Sequence, residues 1–379
     1  MLVEIVVMTG NVCGNLLMFI FSISCALKVW IDFLTPKQLR FTQYLSSYLE
    51  QEGYEVFHTT RHYAEVEKLC SNIRLPTEFV GSYGGALLNE KLEHSADRIL
   101  RLGSLVNEKR PDIALSFGSP ECARVAFGFG IPHICICDSP HADKVARLTI
   151  PLSAALATPW IIPKASWTRF GISTAQIIRY KTLDPAVWIK GNLPFPSNFD
   201  PETSLTKRRT ITVRLEESKA AYLLSLGRST YLELLQRLLD EFPDWNIVVM
   251  PRYEDQYEEI IRSFGNNVIT PKDSVDGLAV LRSSNVFIGM GGTMTTEASL
   301  LGIPTISAYR GEPTYVEKFL IRKRLLERPV NLNELLNIVH RNLSNESQNE
   351  KRRMRAKRLM TSMEDPLPRI SGIIHRFAR

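Results

Sequence analysis

The 379-residue chain lacks the cysteine patterns of a disulfide scaffold or a zinc module. Its cysteines include no CxxC pair, and none stands at a zinc-ligand spacing from a histidine. The six cysteines lie at positions 13, 25, 70, 122, 135 and 137. This pattern indicates buried, reduced thiols in a cytoplasmic protein.

The sequence also lacks a concentrated basic face with interleaved aromatic residues, which excludes the common nucleic-acid-binding modules. Its net charge of +6 is spread over 46 basic and 40 acidic residues. Such a small excess is compatible with an anionic ligand or an acidic membrane surface and identifies neither. The apolar share of 44% and the charged share of 23% are typical of globular proteins, and this length suits two domains.

Long hydrophobic runs are scarce as well, and one apolar stretch approaches the length of a membrane span. Residues 12–27 are mostly apolar, but the run is near the lower limit for spanning, and no lysine or arginine precedes it. Residues 28–33 have the pattern of a first core strand and follow without a linker. We interpret residues 1–27 as an apolar extension before the first domain, with a membrane anchor as the alternative.

Residues 28–192 alternate between apolar strand patterns and helices whose apolar positions lie three or four residues apart. This alternation predicts right-handed βαβ units and a parallel sheet with helices on both faces. Ligands of such sheets bind beyond the carboxyl ends of the strands. Five polar residues follow predicted strands here: Asp32, Lys37, Ser119, Asp138 and His141. Asp32 and Ser119 can instead cap helices and His141 can simply begin one, but the shared edge favours a site.

A second run of βαβ patterns contains the stretch 285–307, NVFIGMGGTMTTEASLLGIPTIS. It predicts a short buried strand, a turn at Gly291 and Gly292, and a helix. The start of such a helix is an anion site, because its first amides have no partner within the helix and its dipole favours negative charge. We expect the turn and Thr293 to bind phosphate and Glu297 to accept hydrogen bonds from a sugar. The alternative is a tight turn in which Glu297 serves only the helix dipole.

Two arginines, Arg214 and Arg252, follow predicted strands of this second domain. Guanidinium groups at that edge suit a diphosphate through charge-assisted hydrogen bonds, and a solvated arginine or a local ion pair is the alternative. We place the domain at residues 193–345, after a proline-rich linker. Residues 346–379 form a basic helical tail, which is either a solvated face or a membrane-surface contact of an enzyme with a lipid-linked acceptor.

Five segments resemble a mainly archaeal family known as domain of unknown function 354. They are KVWIDFLTPKQ (28–38), PDIALSFGSPECARVAFGFGIPHICICDSPHA (111–142), VRLEESKAAY (213–222), VVMPRYEDQ (248–256) and IGMGGTMTTEASLLGIPTIS (288–307). More broadly, the chain resembles the GT-B superfamily of nucleotide-sugar glycosyltransferases and non-hydrolysing UDP-N-acetylglucosamine 2-epimerases. The resemblance implies an α/β, GT-B-like fold, with two tandem Rossmann-like parallel-sheet domains facing a central cleft.

The resemblance also implies a nucleotide-sugar bound in that cleft, mostly by the second domain. In the epimerases a Ser-Gly-Gly turn binds the diphosphate and a following glutamate binds the ribose. Gly291, Gly292 and Glu297 match these positions, whereas Met290 replaces the serine. Asp138 matches the acidic residue expected after the fifth strand of the first domain, but the rest of the epimerase acid set is not evident. No Asp-x-Asp motif lies at a suitable position, so we expect neither a metal nor a cofactor.

These patterns together predict a glycosyltransferase that uses a nucleotide-sugar donor. The second-domain residues named above would stabilise the departing diphosphate, and Lys37 and Ser119 would contact substrate from the first domain. Asp138, His141 or Asp32 would act as general base on the acceptor hydroxyl. An epimerase acting on the nucleotide-sugar alone and a non-catalytic nucleotide-sugar-binding protein are the alternatives. The predicted location is cytoplasmic, with or without contact to a membrane surface.

Overall fold

The structure, a computed structural model, describes residues 26–377 with short gaps, together with four short strands before them. The gaps are residues 86, 192, 194–196, 198, 206–208, 217–230 and 272–274. The short strands are β1 (Val7–Met8), β2 (Asn11–Val12), β3 (Asn15–Leu16) and β4 (Phe19–Ile20). Most of the apolar stretch 12–27 therefore lies outside the described residues. Within the described ranges, no helix has the length and apolar character of a membrane span.

The first sheet of the described chain has seven strands. They are β5 (Lys28–Asp32), β6 (Glu55–His62), β7 (Glu78–Ser82), β8 (Ile113–Ser116), β9 (His133–Ile136), β10 (Ala155–Pro159) and β11 (Ile177–Tyr180). All neighbours pair in parallel, in the order β11-β10-β9-β8-β5-β6-β7. Strands β8 and β9 are buried at every residue, so both faces of the sheet need a covering layer.

Helices that follow the strands of the first sheet supply that layer. They are α1 (Pro36–Gln51), α2 (Ala64–Ile73), α3 (Leu88–Lys109), α4 (Pro120–Gly128), α5 (Asp143–Thr149), α6 (Ala165–Thr168) and α7 (Pro185–Lys190). A short 3-10 helix spans Ile150–Leu152. Proline stands at the start of α1, α4 and α7, where its missing amide hydrogen costs nothing.

Four strands form the second sheet among the described residues: β12 (Thr210–Arg214), β13 (Asn246–Met250), β14 (Val286–Gly289) and β15 (Thr305–Ser307). They pair in parallel in the order β13-β12-β14-β15. The two-sheet α/β architecture predicted from the sequence is confirmed.

The remaining helices follow the chain through the second sheet to its end. They are α8 (Pro201–Ser204), α9 (Tyr231–Glu241), α10 (Glu254–Phe264), α11 (Gly277–Arg282), α12 (Thr293–Leu301), α13 (Tyr315–Arg322), α14 (Leu332–Ser344), α15 (Glu346–Ser362) and α16 (Leu367–Phe377). A 3-10 helix spans Gly265–Asn267.

The last helix, α16, packs against α1 and joins the hydrophobic core of the first sheet. Its buried apolar residues are Leu367, Ile370, Ile373 and Ile374. They share one hydrophobic cluster with strand residues of the first sheet such as Ile31. The hydroxyl of Tyr54 lies 2.9 Å from Nδ1 of His375 on this helix. Residues 346–379 thus contain both the basic helix α15 and an apolar helix that belongs to the core around the first sheet.

A buried histidine links neighbouring strands of the first sheet. His133 begins β9, and its ring nitrogens lie 2.8 Å from the hydroxyl of Ser116 and 2.9 Å from that of Ser153. Burial lowers the pKa of His133 to about 4, because a charged ring would lose its hydration. The folded protein therefore holds this ring neutral at physiological pH.

Acid should weaken the fold through His133. In the unfolded chain the ring has its ordinary pKa of 6.5. Between pH 6.5 and about pH 4, the unfolded chain therefore takes up a proton that the folded chain does not. Stability present at pH 7 is lost over that range, by about 3 kcal/mol in total. Urea unfolding of the wild type and His133→Gln at pH 7 and pH 4.5 measures this loss. We expect a smaller loss in the variant, and equal losses would contradict this role.

Candidate functional site

The carboxyl ends of both sheets border one cavity, whose volume is about 970 Å³ including its open mouth. The first-sheet side of the cavity is lined by Lys37, Asp138, His141 and Asp184. The second-sheet side is lined by Arg252, Gly291, Gly292, Thr293, Tyr309 and Glu317. In the described parts of the chain, no group of three or more His, Cys, Asp or Glu side chains is placed to hold a metal ion.

On the first-sheet side, one lysine lies between two carboxylates. Lys37, near the start of α1, places Nζ 2.5 Å from Oδ2 of Asp138 and 2.9 Å from Oδ2 of Asp184. The hydroxyl of Ser139 donates to the other oxygen of Asp138 at 2.8 Å, and that of Tyr180 donates to the other oxygen of Asp184 at 2.6 Å. Every carboxylate oxygen of this cluster therefore accepts a hydrogen bond.

Burial and charge oppose each other in this cluster. Burial raises the pKa of Asp184. The ammonium of Lys37 lowers this pKa and the negative charge of Asp138 raises it, so that it lies above its ordinary value. Burial acts on Asp138 in the same direction, but Lys37 outweighs it and the pKa of Asp138 lies below its ordinary value. Burial disfavours the ammonium of Lys37, yet both carboxylates outweigh it, and its pKa lies far above the ordinary value. Burial lowers the pKa of His141 against the charges of Asp138 and Glu317, which favours the neutral ring.

On the second-sheet side, β14 leads through a glycine turn into α12. Gly291 and Gly292 have φ angles of 94° and 90°, which residues with a side chain rarely adopt. A Cβ on residue 292 would lie 2.3 Å from Nη2 of Arg252, so the guanidinium group rests against the turn. Its Nε donates to the carbonyl of Leu215 at 3.1 Å, and Nη2 donates to that of Gly291 at 3.2 Å. Gly292 caps α12 without a side chain, so a positive group and an uncovered helix start lie together.

Asp184, Tyr309 and Glu317 are among the cavity residues that escaped the sequence reasoning. Asp184 follows β11, and its position beyond a strand end was the available signal. Tyr309 packs on the glycine turn, where a Cβ on residue 291 would lie 2.9 Å from its ring. Glu317 forms a capping box with Thr314 at the start of α13, a pattern that Thr-x-x-Glu predicts. Both Asp184 and Glu317 therefore carried a sequence signal of position or spacing.

Asp32 and Ser119 lie outside the cavity. Asp32 is fully buried, and its Oδ1 accepts from Nη2 of Arg98 and from the hydroxyl of Thr59, each at 2.5 Å. Ser119 is also buried and caps α4 by accepting from the amide of Cys122. The structure thus corrects the expectation that Asp32 is a general base and Ser119 a substrate contact. Their oxygens are engaged inside the protein, away from any ligand in the cavity.

Two more predicted residues lie behind the cavity wall. Arg214 donates through Nη1 to the carbonyl of Pro251 at 2.7 Å. Glu297 is 5% exposed, and its Oε1 accepts from the indole of Trp188 at 2.7 Å. Burial raises the pKa of Glu297, while Arg40 and the indole oppose that shift. Glu297 thereby joins α12 to α7, and its contact with a sugar hydroxyl stays a prediction.

Trp188→Phe should destabilise the protein by about 1–3 kcal/mol at pH 7.5, because it leaves the buried Glu297 carboxylate without its donor. That loss raises the pKa of Glu297 further above 4.5 in the folded state. The variant's deficit should therefore shrink as pH falls towards the usual carboxyl range and the folded carboxyl becomes neutral. Chemical denaturation at pH 7.5 and pH 5 measures both effects.

Trp167→Phe is the matched control for that experiment. Trp167 is fully buried, and its indole nitrogen has no hydrogen-bond partner among the described residues. The same loss of ring volume should then cost less, with no dependence on pH between 5 and 7.5. A pH-independent deficit in Trp188→Phe would show that the indole does not act through the carboxylate.

Comparison of the sequence with known families gives one decisive match. The family model described as "Protein of unknown function (DUF354)" matches residues 27–368. The chain belongs to the DUF354 family. The uncharacterized protein MJ0665 of Methanocaldococcus jannaschii is similar in sequence. It is 31% identical over 321 residues, which are 84% of this chain and 92% of that protein. The family resemblance seen in the sequence is confirmed.

Solved structures share the architecture of this DUF354 protein at low sequence identity. The S. aureus MnaA–UDP structure is 16% identical, with a TM-score of 0.67 over 93% of this chain and 96% of that one. The UDP-GlcNAc 2-epimerase of Neisseria meningitidis bound to UDP-GlcNAc is 15% identical, with a TM-score of 0.61 over 93% of this chain and 99% of that one. The spinosyn forosaminyltransferase SpnP is 14% identical, with a TM-score of 0.63 over 92% and 100%. The predicted GT-B-like fold is confirmed.

Proposed function

We propose that this DUF354 protein is a nucleotide-sugar-dependent glycosyltransferase whose donor binds in the cavity between the two sheets. The proposal depends on one observation, that a cationic wall and an acid–base wall share this cavity. Arg252 and the start of α12 form the first wall, and Asp138 and His141 belong to the second. This combination suits stabilisation of a leaving diphosphate together with removal of a proton. Structural similarity to a UDP-bound protein and to a sugar transferase supports the choice.

In the proposed reaction, the acceptor hydroxyl oxygen attacks the anomeric carbon of the donor sugar. The carboxylate of Asp138 takes the hydroxyl proton. The bond between that carbon and the diphosphate oxygen breaks, and the diphosphate leaves with the electron pair. Arg252, the hydroxyl of Thr293 and the first amides of α12 stabilise the charge that develops on the leaving oxygen. His141, kept neutral by burial, is the second candidate base.

Gly292→Ala should weaken the binding of a nucleoside diphosphate by tenfold or more. The new Cβ would occupy a position 2.3 Å from Arg252, so the guanidinium group must leave the turn. Arg252→Ala removes the same group and should have an effect of similar size. Isothermal titration with UDP, GDP and dTDP, below the melting temperature of each variant, measures the change.

Gly53→Ala is the matched control for Gly292→Ala. Its φ of 88° makes an added side chain similarly unfavourable, but nothing lies within 4 Å of the new Cβ. It should lose stability and keep its affinity for the nucleotide. Equal affinities in the two glycine variants would refute diphosphate binding at this turn.

Epimerisation at the second carbon of the sugar is the alternative function, favoured by the second carboxylate in the cavity and by the similarity to an epimerase structure. Incubation with a UDP-sugar in D₂O, without acceptor, separates the two reactions. We expect NMR to show no deuterium at the second carbon. Incorporation would overturn the transferase proposal in favour of an epimerase. The third outcome is that the wild type binds the donor but catalyses neither reaction. If the Asp138→Ala variant then binds the donor with the same affinity as the wild type, the protein is a binding module.

A further inference from the structure

A second carboxylate, Asp184, lies in the cavity beside the proposed base. It is 3% exposed and belongs to the segment that follows β11. One oxygen lies 2.9 Å from the ammonium of Lys37, and the other accepts from Tyr180 at 2.6 Å. Burying a carboxylate is costly unless its oxygens are engaged, and here both are. The proposed transfer chemistry gives this residue no task.

The charges of the cluster do not cancel. Lys37 contributes one positive charge, and Asp138 and Asp184 contribute two negative charges. With Lys37 and Asp138 alone, protonation of Asp138 would leave a partly buried ammonium, 23% exposed, without a counter-charge, so Asp138 would be a weak base. With Asp184 present, the same protonation leaves a neutral Lys37–Asp184 pair.

We propose that Asp184 is the positioning residue of this site, fixing Lys37 and supplying the excess negative charge that lets Asp138 accept a proton. This inference rests on the proposed transferase function in one respect, which is that the acceptor hydroxyl is the source of the proton. The proton leaves the acceptor hydroxyl and ends on the Asp138 carboxyl. Lys37 stays charged throughout, paired with Asp184, and the departing diphosphate carries away the electron pair of the broken bond.

The other titratable groups around the cluster do not change the net negative charge of Lys37, Asp138 and Asp184. Burial raises the pKa of Tyr180 well above its usual value, so its hydroxyl stays protonated and donates to Asp184. His141, which precedes α5, is kept neutral by burial. Arg252 and Glu317 carry opposite charges on the second-sheet side of the cavity. In the described part of the chain, the ion pairs of the two carboxylates are both with Lys37.

Carboxyl-carbon NMR titration of the aspartate-labelled protein tests the inference without a substrate. Asp138→Asn identifies the resonance of Asp138. In Asp184→Asn, which keeps the shape and removes the charge, the midpoint of Asp138 should fall by about 1 pH unit or more, a tenfold loss of proton affinity. An unchanged midpoint would overturn the inference.

Two further variants separate charge from structure. Lys37→Gln leaves the two carboxylates facing each other, so the midpoint of Asp138 should rise, opposite to its change in Asp184→Asn. It also keeps the test open if Asp184→Asn does not fold, because a midpoint that does not rise would refute the charge argument. Tyr180→Phe keeps the charge of Asp184 and should leave the midpoint of Asp138 close to that of the wild type.

The pH dependence of transfer provides the second readout. In Asp184→Asn the acid limb of kcat should move to lower pH and the plateau should fall by tenfold or more, because a weaker base accepts the proton less readily. KM for the donor should change little, because the diphosphate is bound on the opposite wall. An inactive wild type whose aspartates still shift as expected would refute the transferase function alone. An active transferase with an unshifted acid limb would refute the role of Asp184 alone.

Discussion

Both sheets are fully parallel, and such sheets present their ligand-binding groups where the strands end. The crossover helices cover both faces of such sheets, which leaves the carboxyl edges as the open surface. Lys37 and Asp138 stand beyond strands of the first sheet, and Arg252 and the turn at Gly291 stand beyond strands of the second. The cavity unites them because the two edges face each other.

Hydrogen bonds and an ion pair join the two halves of the chain near these edges. Arg40 of α1 donates to Asp276, the cap of α11, at 2.9 Å, and both side chains are largely buried. Trp188 donates to Glu297 nearby. Charge-assisted hydrogen bonds in such surroundings are directional, so they fix orientation as well as distance. The separation between the acid–base wall and the cationic wall therefore depends on residues that touch no ligand themselves.

Features with a local cause could be predicted from the sequence. Apolar strand patterns and helical periodicity indicated two parallel sheets, and the paired glycines indicated the turn before α12. Asp184 was missed because β11 is a short strand with an exposed Arg179, and because its partner Lys37 comes from a distant part of the chain. The prediction that Asp32 is a general base was wrong for a similar reason. Its strand-end position was evident, but its partner Arg98 lies 66 residues away and is brought to it only by packing.

The return of α16 to the first sheet governs the order in which the protein can assemble. This helix of 11 residues covers part of a core whose other buried members, apart from Leu278, precede the whole second sheet. On the ribosome, that apolar surface stays open to water until α16 has emerged. The first half of the chain is therefore made before the helix that completes its core, and its apolar surface is open to chaperones until α16 has been made.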